Sequence, residues 1–412
     1  MALADLADWL DGQTGPDRVW YVKRLSANDT GQTGGHQAGV YAPKPLVFEL
    51  FPTMDQQPPR ENLDAFFTLH VDSHDVRSEV RAIWYNNKYW KVPRPANPRD
   101  EARITRFAGT PLQDPENTGA LAVFSFVREP AGNTTTAHAW VCESAIEEDL
   151  IEERTGPVEP GMYLVWEPGQ MRRSDRFPER EYRASCHLEP DELPEAWRTA
   201  YPTGLDIISK AVEMRSDASL TPDKRLLRRR ECEYELFLSI EKAIELPAIR
   251  AGFTTVEEFI ARAQTVLQRR KSRSGRSLEL HARAIFLEEG LREGDDFEWG
   301  PKTEHGNIPD FLFPNAAAYH DAAWPVSGLR LLAAKTTCKD RWRQVAREAD
   351  RIPVKHLLTL QEGVSESQFR QMREAGVQLV VPEGLVEKYP KPVRGDLVTL
   401  ESFIGDVRAC RP

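Results

Sequence analysis

The stretch Leu329-Arg330-Leu331-Leu332-Ala333-Ala334-Lys335 is a largely apolar run that ends on a lysine, and a shorter one, Phe311-Leu312-Phe313, follows Pro309-Asp310. Runs this short and this apolar read as strands buried on both faces. Downstream, residues 340–350 carry Trp342, Val345, Ala346 and Ala349 at helical spacing and predict an amphipathic helix. Residues 357–360 read as a strand, 365–375 as a helix with a Ser365/Gln368 capping box, and 377–381 as a strand. Strands alternating with helices predict an α/β domain around a central sheet.

Upstream the signals are purely helical. Thr221-Pro222 reads as an N-cap followed by proline at the first helical position. Thr255 and Glu258 form a capping box, with Phe259, Ala263, Val266 and Leu267 on one face. Ser277 is expected to open a third helix bearing Leu278, Ala282, Ile285 and Phe286, closed by Gly290. Residues 171–204 lose periodicity and are broken by Pro178, Pro190, Pro194 and Pro202, which predicts a linker. Before it, short alternating strands at residues 19–25, 66–71, 79–84, 121–127 and 139–142 are separated by polar loops at 26–39 and 91–103. That pattern suits a β-sandwich or small barrel with function on its loops. The expected organisation is multidomain α+β: a β domain over 1–170, a linker over 171–204, and an α/β domain over 205–412.

The 412 residues carry 54 Lys and Arg against 64 Asp and Glu, a net charge of −10. With mean hydropathy −0.53 and 40% hydrophobic residues, the chain reads as a soluble globular protein. No apolar run approaches the ~18 residues of a membrane span, and Asp5 and Asp8 replace a basic leader. Five dispersed cysteines, with no C-x-x-C, argue against a disulfide framework or zinc site and point to a reducing cytoplasm. Net charge argues against nucleic acid, yet it is uneven. Residues 224–230 hold five basic groups and 269–276 five more, while 143–153 is acidic. Either basic run alone is equally a solvated face.

A carboxylate beginning one strand and a lysine ending its neighbour suit metal-dependent phosphodiester cleavage. The acid holds a hard cation such as Mg²⁺, and the lysine positions water and offsets developing charge. One acid is too few. The position two residues before Lys335, where nucleases of this type commonly place one, is Ala333. Glu348, seven residues beyond Arg341 on one helix face, supplies the second, so Asp310 and Glu348 are the candidate metal ligands. Glu279 is a supporting acid, and Tyr319 is a candidate direct nucleophile whose plainer reading is a packed or substrate-contacting tyrosine. Lys339-Asp340-Arg341 has the donors and acceptor to read G·C pairs, or is simply a salt-bridged helix end. Arg230 and Tyr234, four apart, could sandwich an unstacked base. The glycine-rich loop from Lys23 to Gln37 lacks the Gly-Lys-Ser/Thr of a Walker loop.

Together these segments resemble the EcoRII family of restriction endonucleases nearly end to end. The resemblance rests on Lys-Arg-Leu-Ser-Ala-Asn-Asp-Thr-Gly from Lys23, Pro-Leu-Gln-Asp-Pro-Glu-Asn-Thr-Gly-Ala-Leu from Pro111, and Lys-Ser-Arg from Lys271. Ser-Leu-Glu-Leu-His from Ser277, Pro-Asp-Phe-Leu-Phe-Pro from Pro309, and Lys-Thr-Thr-Cys-Lys-Asp-Arg-Trp-Arg-Gln from Lys335 complete it. It implies a B3-like β-pseudobarrel effector domain, autoinhibitory, followed by a restriction-endonuclease-like α/β domain of the PD-(D/E)xK type. It implies a homodimeric, Mg²⁺-dependent type IIE enzyme that cuts CCWGG before the first cytosine once further copies of the site occupy the effector domain. A cognate cytosine methyltransferase is expected in the same host.

By position, Asp310, Lys335 and Glu348 would be catalytic, and Lys339, Asp340 and Arg341 would read the outer C·G pairs. Arg230 and Tyr234 would hold a flipped central base. Loops 26–41 and 88–106, through Asn28, Asp29, Thr33, His36, Arg94, Glu101 and Arg103, would grip effector DNA. Ala102 stands where the family can carry a lysine, an exchange expected to weaken effector affinity and leave the chemistry alone. The alternatives are a non-catalytic DNA-binding regulator with the same folds, and a repair or structure-selective nuclease that would need neither the reader triplet nor the effector loops.

Overall fold

The computed structural model describes residues 3–33, 39–56, 60–91, 93, 100–167, 170–173 and 186–410. In the first domain, strands β1 (Arg18–Arg24), β2 (Val40–Ala42), β3 (Asp64–Val71), β4 (Val76–Tyr85), β5 (Glu101–Thr105), β6 (Leu121–Val127), β7 (Thr136–Val141), β8 (Tyr163–Glu167) and β9 (Gln170–Arg173) form one curled sheet. Its order is β2-β5-β4-β3-β7-β6-β1-β8-β9. Among these pairs only β3–β7 is parallel. Alternation sorts the side chains. Tyr21, Phe124 and Phe126 join the core inside the curl, while Trp20, Val22 and Val123 face helices on the other side. The result is a curled β-pseudobarrel.

Three helices here escape the strand pattern: α1 (Leu3–Gly12), α2 (Lys44–Leu50) and α3 (Ala145–Thr155). The last coincides with the acidic run, which is no solvated tract. Ser144 and Glu147 form its capping box, and Glu147, Glu148 and Glu152 are buried. Arg24 donates to Glu148 at 2.7 Å and to Glu152 at 2.8 Å inside the domain. The loop expected at 91–103 ends in β5. Ala102 on that strand is buried, so a lysine there would not simply reach outward.

The second domain opens with α4 (Gly204–Met214), α5 (Pro222–Ala251) and α6 (Val256–Glu288). Thr221 caps α5 by accepting from the Lys224 N–H, as the sequence predicts. The separate helix expected from Ser277 is not there. The chain stays helical through Gly275, and the Ser277 hydroxyl donates to Glu233 at 2.9 Å instead of capping. On the apolar face expected from Phe259, Phe259 itself is 54% exposed while Ala263, Val266 and Leu267 are half-buried.

Strands β10 (Glu298–Trp299), β11 (Phe311–Phe313), β12 (Arg330–Ala334), β13 (Lys355–Leu358) and β14 (Val377–Val380) form the central sheet in that order. Pairing is antiparallel from β10 to β12 and parallel from β12 to β14. Around it lie α7 (Ala316–His320), α8 (Trp342–Val345), α9 (Glu366–Glu374), α10 (Glu383–Val386) and α11 (Leu400–Ala409). The helix expected over 340–350 is a single turn: beyond Val345 the chain continues in i+3 turns, Arg347 N–H to Gln344 and Glu348 N–H to Val345, and Ala349 takes φ +48°, which ends it. Trp342, Val345 and Ala349 still point inward as predicted.

One cysteine expectation is overturned. Cys186 and Cys232 are joined by a disulfide across 46 residues of sequence, a spacing that gives no local signal. Cys186 and Leu193, from the stretch read as linker, pack with Leu236 and Phe237 of α5. Among the described residues no helix is long and apolar enough to cross a membrane.

Candidate active site

Antiparallel pairing sets the start of β11 beside the end of β12, which brings Asp310 to Lys335. Asp310 Oδ2 accepts from Lys335 Nζ at 2.9 Å and from the Ala334 backbone N–H at 2.7 Å. Ala333 is fully buried and supplies no acid. Glu348 comes from the turn after α8 and lies within the field of both Asp310 and Lys335. Burial raises its carboxyl above the usual range against the pull of Lys335, with Asp310 adding to the rise. One oxygen of Glu348 is buried without a hydrogen-bond partner among the described residues.

Glu279, from the second half of α6, faces the same place. Burial and then the charge of Asp310 push its carboxyl up to about 7. Trp299 Nε1 stands 3.5 Å from its Oε2. Glu279, Asp310, Pro309, Trp299 and Arg276 line one cleft of about 290 Å³. Among the described residues no three His, Cys, Asp or Glu side chains form a ready-made metal cage. The donor set nevertheless fits Mg²⁺, which keeps several waters and is held by one or two carboxylates together with substrate phosphate. Carboxyls raised by burial and mutual repulsion, one with an orphaned oxygen, are what a hard cation would relieve.

Tyr319 is not brought into this cluster by its contacts. Its hydroxyl donates to Glu304 at 2.7 Å and accepts from the Arg351 N–H at 3.3 Å. Burial and the bond to Glu304 raise its pKa, the wrong direction for a nucleophile.

The DNA-reading candidates lie at the seam with the first domain. Asp340 and Arg341 are half-buried just ahead of α8. Lys339 Nζ donates to the Cys142 carbonyl of the first domain at 2.7 Å. The backbone N–H groups of Cys338 and Lys339 are held by Gln361 Oε1 at 2.9 and 3.2 Å. Gly119 of the first domain, at φ +89°, packs against that glutamine so closely that a Cβ would fall 2.4 Å from its Nε2. Glu159, in the connection between α3 and β8, bridges Arg230 and Arg273 at 2.7 Å each. Arg273 is also the guanidinium over the Tyr234 ring, 4.8 Å from its centroid. Sequence reading missed Glu159, because an acid in a Gly-Pro-rich turn carries no local mark. His281, the last residue of the Ser-Leu-Glu-Leu-His string, is held neutral by burial and the neighbouring Arg230, Arg229 and Arg273.

In the first domain several effector candidates converge. With its amide oxygen toward the guanidinium, Asn28 accepts from Arg103 at 2.8 Å and donates to Thr33 at 2.9 Å. Arg103 also pairs with Glu101 at 3.0 Å and donates to the Gly39 carbonyl at 2.8 Å. Asp29 is buried and pairs with Lys23 at 2.6 Å. Burial opposes its charge, but Lys23 and the Ser26 and Tyr41 N–H groups win and lower its pKa. Asp29 therefore braces the loop from within. His36 and Arg94 lie outside the described residues.

A family model described as "Restriction endonuclease EcoRII, N-terminal" matches residues 14–170, and another, "EcoRII C terminal", matches residues 237–404. The chain is 46% identical over 391 residues to the type II restriction enzyme EcoRII of Escherichia coli, covering 94% of this chain and 93% of that protein. Among solved structures, metal-depleted Ecl18kI in complex with uncleaved, modified DNA aligns at TM-score 0.43 and 18% identity, over 54% of this chain and 85% of that one. The B3 domain of the UbaLAI restriction endonuclease with cognate DNA aligns at TM-score 0.28 and 20% identity, over 41% of this chain and 99% of that one. Neither structural likeness is close enough to bear on the chemistry.

Proposed function

The chain belongs to the EcoRII family of type II restriction enzymes, and on that premise we propose a Mg²⁺-dependent type IIE endonuclease that hydrolyses double-stranded DNA at CCWGG, before the first cytosine, when further copies of the site occupy its first domain. That it is a site-specific DNA endonuclease follows from the family; the metal, the target and the activation are our reading.

The observation that carries it is the 2.9 Å contact of Lys335 with Asp310, which lines a cleft with Glu279, while burial raises the carboxyls of Glu279 and Glu348 in the field of Asp310. Asp310 and Glu348 would hold Mg²⁺, with Glu279 in support, and the bound cation would polarise the phosphate and lower the pKa of water. Lys335 orients the incoming water and offsets charge building on the phosphate oxygens, while Asp310 fixes the lysine in place. Lys339, Asp340 and Arg341 would read the outer C·G pairs, and Arg230 and Tyr234 would receive the central base.

Two of those readers are engaged by the first domain, Lys339 through Cys142 and Arg230 through Glu159. Base reading then requires the first domain to let go, and effector DNA gripped by Asn28, Thr33 and His36 of loop 26–41, which Asp29 braces, and by Arg94, Glu101 and Arg103 of loop 88–106 would favour release. A near-palindromic target suits a homodimer, and a restriction enzyme in the cytoplasm calls for a partner methyltransferase to protect host sites. The test is digestion of a plasmid carrying several CCWGG sites, with and without Mg²⁺. Discrete Mg²⁺-dependent fragments are expected. Specific binding with no cleavage would favour the regulator instead.

A further inference from the structure

The basic run at 269–276, which looks in sequence like one phosphate-contacting patch, is mostly spent inside the protein. Arg269 pairs with Glu245 at 3.0 Å and covers the Tyr201 ring at 3.6 Å. Arg270 donates to Glu241 at 2.8 Å, Lys271 pairs with Asp149 at 3.0 Å, and Arg273 is shared by Glu159 and Glu233 at 2.7 Å each. Arg276 differs. It is exposed, and among the described residues no ion pair within 4 Å engages it, although its charge acts on the nearby Glu279 carboxyl. Its guanidinium lies over Trp299, 5.5 Å from the ring centroid, while the other arginine at that indole, Arg283, is committed to Glu293.

Arg276 and Trp299 also line two cavities at once. One is the cleft holding Glu279 and Asp310; the other, of about 340 Å³, runs past Phe237 and Tyr201 along α4 and α6. A guanidinium resting on an indole loses little freedom when it binds and keeps N–H donors in the fork that matches two phosphate oxygens. The cation therefore sits where the cleft that holds Glu279 and Asp310 meets the second cavity.

We infer that Arg276, backed by Trp299, is a seat for one DNA backbone phosphate at the mouth of the catalytic cleft, and that it positions the scissile strand against Asp310 and Lys335. This rests on the endonuclease reading above. Arg276 is a positioning residue, and its ligand is a phosphodiester rather than a base.

The test uses full-length protein with unlinked effector duplex, and site-bearing duplexes in which one phosphate at a time is replaced by uncharged methylphosphonate. Arg276→Ala should slow single-turnover cleavage at sub-saturating DNA by about 10- to 100-fold, the scale of one charge-assisted contact. It should also lower the salt slope of metal-free binding by about one. Arg276→Lys should recover part of both. At one phosphate, neutralisation should slow the wild type by a similar factor and leave Arg276→Ala no slower. A stable Arg276→Ala that cuts and binds like wild type, or a penalty that adds to neutralisation at every phosphate, overturns the assignment. A wild type that binds but never cuts overturns the endonuclease reading instead, and the salt slope still decides Arg276.

Discussion

Glu159 offers the sharpest test of how the two domains are coupled. It reaches from the first domain to Arg230 and Arg273 at 2.7 Å each, with side-chain exposures of 9%, 1% and 8% respectively. Removing one partner of a buried pair costs roughly 3–5 kcal/mol, because a charge is left uncompensated. Arg273 keeps Glu233, so the low end, about 3 kcal/mol, is the figure for the closed arrangement. Once the domains part, both arginines meet solvent or DNA and the substitution costs nothing comparable. At about 1.4 kcal/mol per tenfold, Glu159→Ala should shift the closed-to-open ratio on the order of 100-fold. The assay is single-turnover cleavage of a one-site duplex, with and without unlinked effector duplex. The effector-free rate should rise by about 10- to 100-fold toward the effector-saturated rate, which acts as its ceiling. Glu159→Gln, keeping shape and losing charge, should fall between. A folded Glu159→Ala whose effector-free rate matches the wild type would refute the latch.

Lys335→Ala should reduce cleavage by at least about 100-fold while leaving specific binding intact, since its charge acts on the transition state; a gel-shift beside a cleavage assay separates the two. Glu279 holds a proton in the folded chain between about pH 4.5 and 7, where the unfolded chain has released it. Stability should therefore fall as pH rises through that window, so Glu279→Gln should raise the apo protein's melting temperature at pH 8 and leave it unchanged at pH 4. By the same competition, the midpoint of the cleavage rate against pH should move down as Mg²⁺ increases; a midpoint indifferent to metal would detach the group from the site. Tyr319→Phe should cut within about threefold of wild type, a small effect by the scale of catalytic substitutions, because its hydroxyl is engaged by Glu304. A loss of 100-fold or more would return it to the chemistry.

The strands bearing Asp310 and Lys335 were legible because a buried strand is a local apolar pattern, and strand ends are where such a sheet places its reactive groups. Glu348 came from a seven-residue spacing, although the helix that justified it is one turn long. What stayed hidden depends on partners far apart in sequence. Glu159 and Arg230 are 71 residues apart, and Glu159 and Arg273 are 114 apart. Nothing local distinguishes Arg276 from Arg273, since a run of charge does not reveal which members are already neutralised. The acidic run shows the same limit, because three of its glutamates are buried in α3 and Arg24 pairs with two of them.

The most direct measurement is to sequence the ends left on both strands of a duplex with one CCWGG site, cut with Mg²⁺ and effector duplex by the full-length chain. The account predicts a single break on each strand, immediately before the first cytosine, with an overhang spanning the whole site. Ends at other sequences, or an uncut duplex under those conditions, would contradict it.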